Sequence, residues 1–144
     1  MHPTDFLRTL DEEKIVAAIG EAERRTSGQI RVWISRKQIA DPLAAAKRRF
    51  NKLRMSKTRH RNAVLLYFAP RTRQFAIIGD VAVHEKCGDA FWQKVAVQLT
   101  HDIREMPMTD AITNTVRTIG DLLAAHFPQD GLCGNEIPDR IEHD

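Results

Sequence analysis

The sequence predicts an α/β fold: a three-layer sandwich in which helices cover both faces of a small mixed sheet, in the order α-β-α-β-β-α-α. Helical periodicity of apolar residues alternates with short strand-like runs along the 144 residues. One run, Ala63–Ala69, is hydrophobic throughout, which is typical of a strand covered on both faces. The length fits one domain, and a hydrophobic content of 42% excludes a disordered chain.

The chain opens on a predicted helix and strand. Apolar residues recur at helical spacing over residues 11–26, so one face of this helix is expected to pack inward. Over residues 29–35, Ile30, Val32 and Ile34 occupy alternate positions, which is typical of a strand.

A second, basic helix is predicted between this strand and the hydrophobic one. Asp41 and Pro42 form a typical helix start, an N-cap followed by a first-turn proline. The helix then covers residues 43–54 and carries Lys and Arg on much of its surface. Because residues 29–69 form a strand-helix-strand unit, its two strands are expected to be parallel.

The rest of the chain predicts a hairpin, two helices and a tail. A short turn between two strands indicates an antiparallel pair, and an aperiodic acidic end indicates an extended segment. In order, the turn, strand, helices and tail cover residues 70–73, 74–78, 89–105, 110–127 and 128–144. The predicted organisation is one domain over residues 1–127 followed by the tail.

The net charge of +3 conceals a marked asymmetry. Residues 42–79 hold ten Lys and Arg and no acid, whereas the rest of the chain holds 12 basic and 19 acidic residues. Such a basic block attracts polyanions. Nucleic acid is nevertheless disfavoured as a partner, because aromatic residues make up only 6% of the chain and no nucleic-acid-binding motif is visible. An anionic membrane surface is compatible with the same charge.

The expected localisation and cysteine chemistry both rest on the absence of recognisable sequence signals. No apolar run approaches the length of a transmembrane helix, and the first residues do not resemble a signal peptide. The sequence therefore predicts a cytoplasmic protein without a transmembrane segment, with peripheral membrane association left open. Cys87 and Cys133 lack the paired spacing of a zinc site and are expected to be reduced thiols.

A first candidate site follows the hairpin. Asp80, Glu85 and Asp89 can supply the carboxylate oxygens that Ca²⁺ or Mg²⁺ prefers, and His84 lies among them. The alternative is structural: Asp80 caps a turn, His84 packs locally, and Asp89 starts a helix. No metal-binding motif decides between the two, and no cofactor is required by the sequence.

A second candidate site precedes the hydrophobic strand. Arg59, Arg61 and Asn62 can bind an anionic group or a partner, since guanidinium groups hold phosphate or carboxylate at two points. The alternative is a solvated basic surface that the acidic tail of the same chain neutralises.

Several segments together resemble the TPM-domain family, named after thylakoid, photosystem and nematode receptor-associated members. Their order and spacing carry the resemblance, which covers nearly the whole chain, roughly Glu12 to Asp139. The segments are TSGQIRV (26–32), MSKT (55–58), RNAVL (61–65), IIGD (77–80), HEKCG (84–88), FW (91–92), HFP (126–128) and NEIPD (135–139).

The resemblance implies an α/β sandwich and adds functional expectations. Some family members are attributed phosphatase activity and divalent-cation binding, and others are similar to accessory factors near membranes. This sequence departs from the family in lacking a signal peptide and a transmembrane tail. Ala63 and Ala82 also stand where relatives often have glycine.

The predicted function is a ligand-binding or interaction module of this family, with a protein partner or membrane-associated complex as its expected context. A metal-dependent phosphomonoesterase is the first alternative, and its enzymatic character rests on the resemblance alone. A basic-surface binder of nucleic acid or anionic lipid is the second.

Overall fold

In the residues that the structure describes, a four-stranded mixed sheet lies between one helix on one face and three helices on the other. The structure is a computed structural model, and it describes residues 11–72, 74–129 and 141–143. The predicted three-layer α/β sandwich is therefore confirmed.

The predicted element order is also confirmed, with one strand added at the end. The elements are α1 (Glu12–Arg25), β1 (Gln29–Ile34), α2 (Pro42–Lys52), β2 (Ala63–Ala69), β3 (Gln74–Gly79), α3 (Val81–Glu105), α4 (Met108–His126) and β4 (Ile141–His143). Single turns of 3-10 helix at Met55–Lys57 and Pro70–Thr72 precede and follow β2.

The strands lie in the order β3-β2-β1-β4. β1 pairs in parallel with β2, with Gln29 opposite Ala63, and β2 pairs antiparallel with β3. Every residue of β2 is buried, as expected for a central strand covered on both faces. Hence the starts of β1 and β2 and the end of β3 lie at one edge of the sheet.

Two hydrophobic cores hold the layers together. The larger one joins α1, α3 and α4 to alternate residues of β1 and β2, and the smaller one joins α2 to the other face of the same strands. Fully buried side chains such as Ile19, Leu65 and Leu99 each contribute about 1.5–3 kcal/mol to folding. The helices on both faces are thereby fixed relative to the sheet.

Helix α3 begins eight residues earlier than the predicted start at residue 89. Gly88, at φ 73° and ψ 169°, interrupts the helical conformation, so the helix consists of a short segment before the break and a long one after it. The apolar periodicity is visible only in the long segment. The short segment is instead initiated by Asp80, whose side chain accepts a hydrogen bond from the backbone N–H of Val81.

The predicted tail contributes a strand that its sequence does not indicate. Ile141–His143 pairs in parallel with β1, beginning with Ile141 opposite Val32. A single apolar residue among charged neighbours carries no strand periodicity, so this pairing was not predictable from the pattern. Cys133 and the NEIPD segment lie outside the described residues.

Candidate functional site

Both predicted sites meet at the sheet edge formed by the starts of β1 and β2 and the end of β3. Val64 of β2 lies opposite Gly79 of β3, and the backbone N–H of Asp80 donates to the Ala63 carbonyl at 2.9 Å. We expected Asp80 near a strand end, and it follows the carboxyl end of β3. That position is at the amino edge of the parallel strands, opposite the edge where α/β folds usually bind ligands.

Arg61 and Asp80 form a two-point ion pair. Nε of Arg61 donates to Oδ2 of Asp80 at 2.8 Å, and Nη2 donates to Oδ1 at 3.0 Å. The Asp80 side chain is 4% exposed, whereas that of Arg61 is 48% exposed. The predicted cation ligand and the predicted anion-binding residue are therefore partners of each other.

The backbone of Arg61 is held in an uncommon conformation. Its φ of 54° is in the left-handed region, which a residue with a side chain adopts rarely. The Arg61 carbonyl accepts a hydrogen bond from the N–H of Ala82 at 3.2 Å, so the first turn of α3 fixes this conformation. The strain is therefore located at the residue whose guanidinium contacts Asp80.

Asn62 is the most deeply buried of the predicted site residues, at 1% exposure. Its Nδ2 donates to the hydroxyl of Ser27 at 3.1 Å. Its Oδ1 is buried and has no hydrogen-bond partner among the described residues. A buried acceptor without a donor is costly, and such groups are rare in folded proteins.

The turn before β1 supplies Thr26, Ser27 and Gly28, which are not among the predicted site residues. The Thr26 hydroxyl donates to the Phe127 carbonyl, and the Ser27 N–H donates to the same oxygen at 2.9 Å. Gly28 must lack a side chain, because a Cβ there would lie 2.9 Å from Cδ1 of Leu123 and 3.3 Å from the Asn62 carbonyl oxygen. The only signal in the sequence is the TSG triplet of the family resemblance.

The other predicted residues are exposed. His84 and Glu85 lie before the Gly88 break in α3, and Asp89 lies directly after it. Arg59 is exposed in the loop before β2. Within the described parts of the chain, no three His, Cys, Asp or Glu side chains are gathered as they would be around a metal ion. Glu85 and Asp89 are thus not brought to Asp80 as a set of ligands.

The ion pair determines the electrostatics of this edge. The hydrogen bonds from Arg61 to Asp80, and secondly the negative charge of Asp80, raise the pKa of the guanidinium above its ordinary value. The Asp80 oxygens accept from Arg61 and from Val81 at 2.7 Å. A cation that binds Asp80 must therefore displace Arg61, and with only one carboxylate it must take most of its remaining oxygen ligands from water or backbone groups.

No helix among the described residues is both long enough and apolar enough to span a bilayer.

Comparison with models of protein families identifies one family. The family model for the TPM domain matches residues 1–122, a range that includes Arg61, Asn62 and Asp80. No curated protein matches the chain.

A solved structure has the same fold over nearly the whole chain. It is the NMR structure of the BA42 protein from the psychrophilic bacterium Bizionia argentinensis. The TM-score is 0.85 at 29% sequence identity, and the alignment covers 92% of each chain.

Proposed function

This chain belongs to the TPM-domain family, and from that premise we propose that it is a ligand-binding or interaction module whose binding group is Arg61. The ligand is an anionic group, carboxylate or phosphate, presented by a partner. One observation carries the proposal: a half-exposed guanidinium is held at two points by the buried carboxylate of Asp80.

The ion pair orients Arg61 without covering it. Nε and Nη2 face Asp80, which leaves the Nη1 group for a ligand in the solvent. A guanidinium that is already fixed loses less conformational freedom when it binds an oxyanion. Asp80 is therefore a positioning residue for Arg61.

The test is an NMR titration of the Arg61 Nε–H signal with acetate and with inorganic phosphate. We expect this signal to shift on titration. Followed through the backbone amide signals of Asp80 and Val81, Arg61→Lys is expected to weaken binding at least about fivefold, because lysine keeps the charge but loses two-point recognition. Lys57→Gln removes an exposed charge from the same loop and serves as the matched control. The proposal fails if both variants weaken binding equally or if the Arg61 signal does not respond.

A second candidate function is divalent-cation binding at Asp80. It is favoured by the near-complete burial of a carboxylate whose ion-pair partner, Arg61, is itself half exposed. Calorimetry with Ca²⁺ and Mg²⁺ tests it. Asp80→Asn is expected to abolish binding, whereas Asp121→Asn, a control at an exposed position on α4, is expected to leave it unchanged. Equal binding by the wild type and Asp80→Asn contradicts this candidate.

The contributions of Glu85 and Asp89 to cation binding are tested in the same way. Both carboxylates are exposed near the start of α3. If they complete the cation site, Glu85→Gln and Asp89→Asn each weaken Ca²⁺ or Mg²⁺ binding. If only Asp80→Asn has an effect, the remaining ligands are water or backbone oxygens.

The phosphomonoesterase alternative requires the same cation. When bound, the ion supplies Lewis-acid chemistry, and Arg61 is the residue that would orient the phosphate group. Hydrolysis of p-nitrophenyl phosphate with added Mg²⁺, Mn²⁺ or Ca²⁺ is the measurement. The alternative predicts activity that Asp80→Asn removes and that Asp121→Asn retains, and a protein without activity under all three ions contradicts it.

Binding of anionic lipid or nucleic acid is the remaining alternative. A protein that binds anionic lipid in this way would be peripheral to a membrane. Its support is the basic block, much of which lies on α2. Electrostatic binding to either polyanion weakens steeply as salt rises. Cosedimentation with anionic vesicles and RNA at low and physiological salt tests both, and binding that does not depend on salt contradicts this alternative.

A further inference from the structure

A small cationic pocket lies on the α2 face of the sheet, away from the Arg61–Asp80 pair. It has a volume of about 120 Å³ and is formed by α2, the loop after β1, and β2. Among the described residues, its lining includes four basic side chains and no carboxylate; the basic residues are Lys37, Arg48, Arg49 and Lys52. This clustering is not visible as a motif in the sequence.

Helical spacing explains why the three basic residues of α2 meet. Positions 45, 48, 49 and 52 lie on one side of the helix, at intervals of three and four residues. Ala45, the first of them, is 6% exposed and lets the helix approach the sheet closely. The longer side chains that follow it then surround the pocket.

The aromatic residue Tyr67 lines the pocket, and a second aromatic residue, Trp33, contacts one of the basic side chains that line it. Trp33 of β1 and Tyr67 of β2 are opposite each other in the sheet register and are 7% and 3% exposed. The guanidinium carbon of Arg49 lies 3.9 Å from the centre of the Trp33 ring. This cation–π contact fixes the plane of the guanidinium and leaves its N–H edge available.

Trp33 provides a second observation independent of the charges. Its indole Nε1 is buried and has no hydrogen-bond partner among the described residues. A buried indole N–H usually finds an acceptor. Trp33, whose ring stacks on Arg49, therefore carries a buried donor that has no partner among the described residues.

We propose that this pocket binds a phosphomonoester group. Converging cationic side chains match a dianion whose terminal oxygens accept hydrogen bonds from several directions. The pocket is smaller than the roughly 300–1,000 Å³ of sites that enclose whole ligands, so it holds the phosphate and leaves the rest of the molecule outside. The group belongs to a soluble metabolite or to a lipid headgroup.

The pocket is distinct from the site of the proposed function. Trp33 lies four residues along β1 from Gln29, which is at the Arg61 edge, and this corresponds to about 13 Å of strand. No residue is shared between the two places. Either one can therefore bind its ligand when the other does not, and variants separate them.

The test is an NMR titration with inorganic phosphate that follows the two indole N–H signals. The chain has two tryptophans, and Trp92 lies on α3, on the other side of the sheet. The Trp33 signal is expected to shift in a saturable way, whereas the Trp92 signal is expected to stay in place. Acetate at the same ionic strength is expected to give a smaller Trp33 shift, because it is a monoanion.

Variants assign the binding to the pocket. Arg48→Gln and Lys52→Gln change exposed side chains and are expected to leave the fold intact. Arg49→Lys keeps the charge but removes the planar guanidinium that stacks on Trp33. Each is expected to weaken phosphate binding about tenfold. Lys47→Gln is the matched control, since Lys47 is exposed on α2 but does not line the pocket, and it is expected to change binding less than about twofold.

Two further arms identify the source of the phosphate group. Vesicles that contain phosphatidic acid present a monoester, whereas phosphatidylglycerol vesicles of equal charge present only a diester. Preference for phosphatidic acid supports a lipid source, and saturable binding of free phosphate without vesicle binding supports a soluble source. The proposal is overturned if Lys47→Gln weakens binding as much as Arg48→Gln, if both indole signals shift equally, or if only RNA binds.

Discussion

Asp80 serves two structural purposes with one buried carboxylate. It caps the first turn of α3 through Val81, and it holds Arg61 across the sheet edge. A side chain that both starts a helix and orients an exposed arginine connects the stability of the fold to the geometry of the candidate site. Substitutions at Asp80 can separate the two contributions because asparagine caps a helix nearly as well as aspartate.

We therefore expect Asp80→Ala to lower the free energy of unfolding by about 1–2 kcal/mol more than Asp80→Asn, since only alanine loses the cap. Urea denaturation measures both. Asp41→Ala is the control for the loss of a helix cap alone, because Asp41 caps α2 by accepting from the N–H of Ala44. Equal destabilisation by the two Asp80 variants would show that the cap contributes little.

Cys87 gives a pH-dependent prediction at the residue scale. Burial raises the pKa of its thiol above the ordinary value, so the folded protein retains the proton to higher pH than the unfolded chain does. The contribution of this thiol to stability is therefore complete below the unfolded pKa, and it decreases as pH rises towards the folded pKa.

With Cys133 replaced by serine, we expect iodoacetamide to label Cys87 at least about threefold more slowly in the folded protein than in urea. The pH midpoint of labelling is expected to lie higher in the folded state. A folded midpoint at or below that of the unfolded protein would contradict the burial argument.

At the scale of elements, α1 and α4 are in close contact at Gly120. A Cβ at that position would lie 2.6 Å from Cβ of Ala22, which is closer than packed side chains allow. Exposed ion pairs between Lys14 and Asp110 and between Arg25 and Asp121 also join the two helices, but such pairs contribute little. The helix pair is thus held mainly by close apolar packing.

Gly120→Ala is expected to destabilise the protein by about 1–2 kcal/mol, because overpacking outweighs the gain in helix propensity. Ala22→Gly creates space at the opposite position. The double variant Ala22→Gly with Gly120→Ala is therefore expected to be more stable than the sum of the single effects predicts. Urea denaturation of the four proteins measures this coupling, and strict additivity would contradict the proposed contact.

Sequence patterns predicted those elements whose periodicity is strong. The apolar run of β2 and the alternation in β1 identified the two central strands, and the position of Asp41 and Pro42 identified the start of α2. The first segment of α3 was missed because its start depends on a cap and its end on a positive φ at Gly88.

The candidate site was predicted as residues but not as an arrangement. Asp80, Arg61 and Asn62 were each identified from residue type and position. Their pairing could not be, because it depends on the antiparallel register of β2 and β3 and on the left-handed backbone at Arg61. The basic pocket likewise required the sheet register that places Trp33 beside Tyr67.

For the whole molecule, the charge asymmetry has a structural explanation. The hydrophobic run of the basic block forms the central strand β2, Arg61 lies at the sheet edge where β2 begins, and Arg48, Arg49 and Lys52 line the α2 pocket. The basic residues behind the net charge of +3 thus include two separate cationic sites, which lie at different places on the sheet. The acidic remainder includes the end of the chain, which returns to the sheet as β4 beside β1.

The division into a domain over residues 1–127 and a tail remains a prediction, and the contacts around residue 128 show how to test it. The backbone N–H of Gln129 donates to the carbonyl of Arg25 at 3.3 Å. Its side-chain Nε2 donates to the carbonyls of Glu23 and Thr26 at 3.2 and 3.3 Å. Pro128 also forms a β-bridge with Thr26. These contacts fasten the end of α4 to the end of α1.

A chain that ends at Gln129 is therefore expected to fold cooperatively, with faster hydrogen exchange along the β1 edge that β4 otherwise covers. A chain that ends at Phe127 also loses the Gln129 contacts, and it is expected to be less stable by a further amount of roughly 1–3 kcal/mol. Urea denaturation and amide exchange of the full chain and both truncations make the comparison. If the chain ending at Gln129 does not unfold cooperatively, β4 belongs to the domain itself, because the remaining sheet then cannot hold its structure without it.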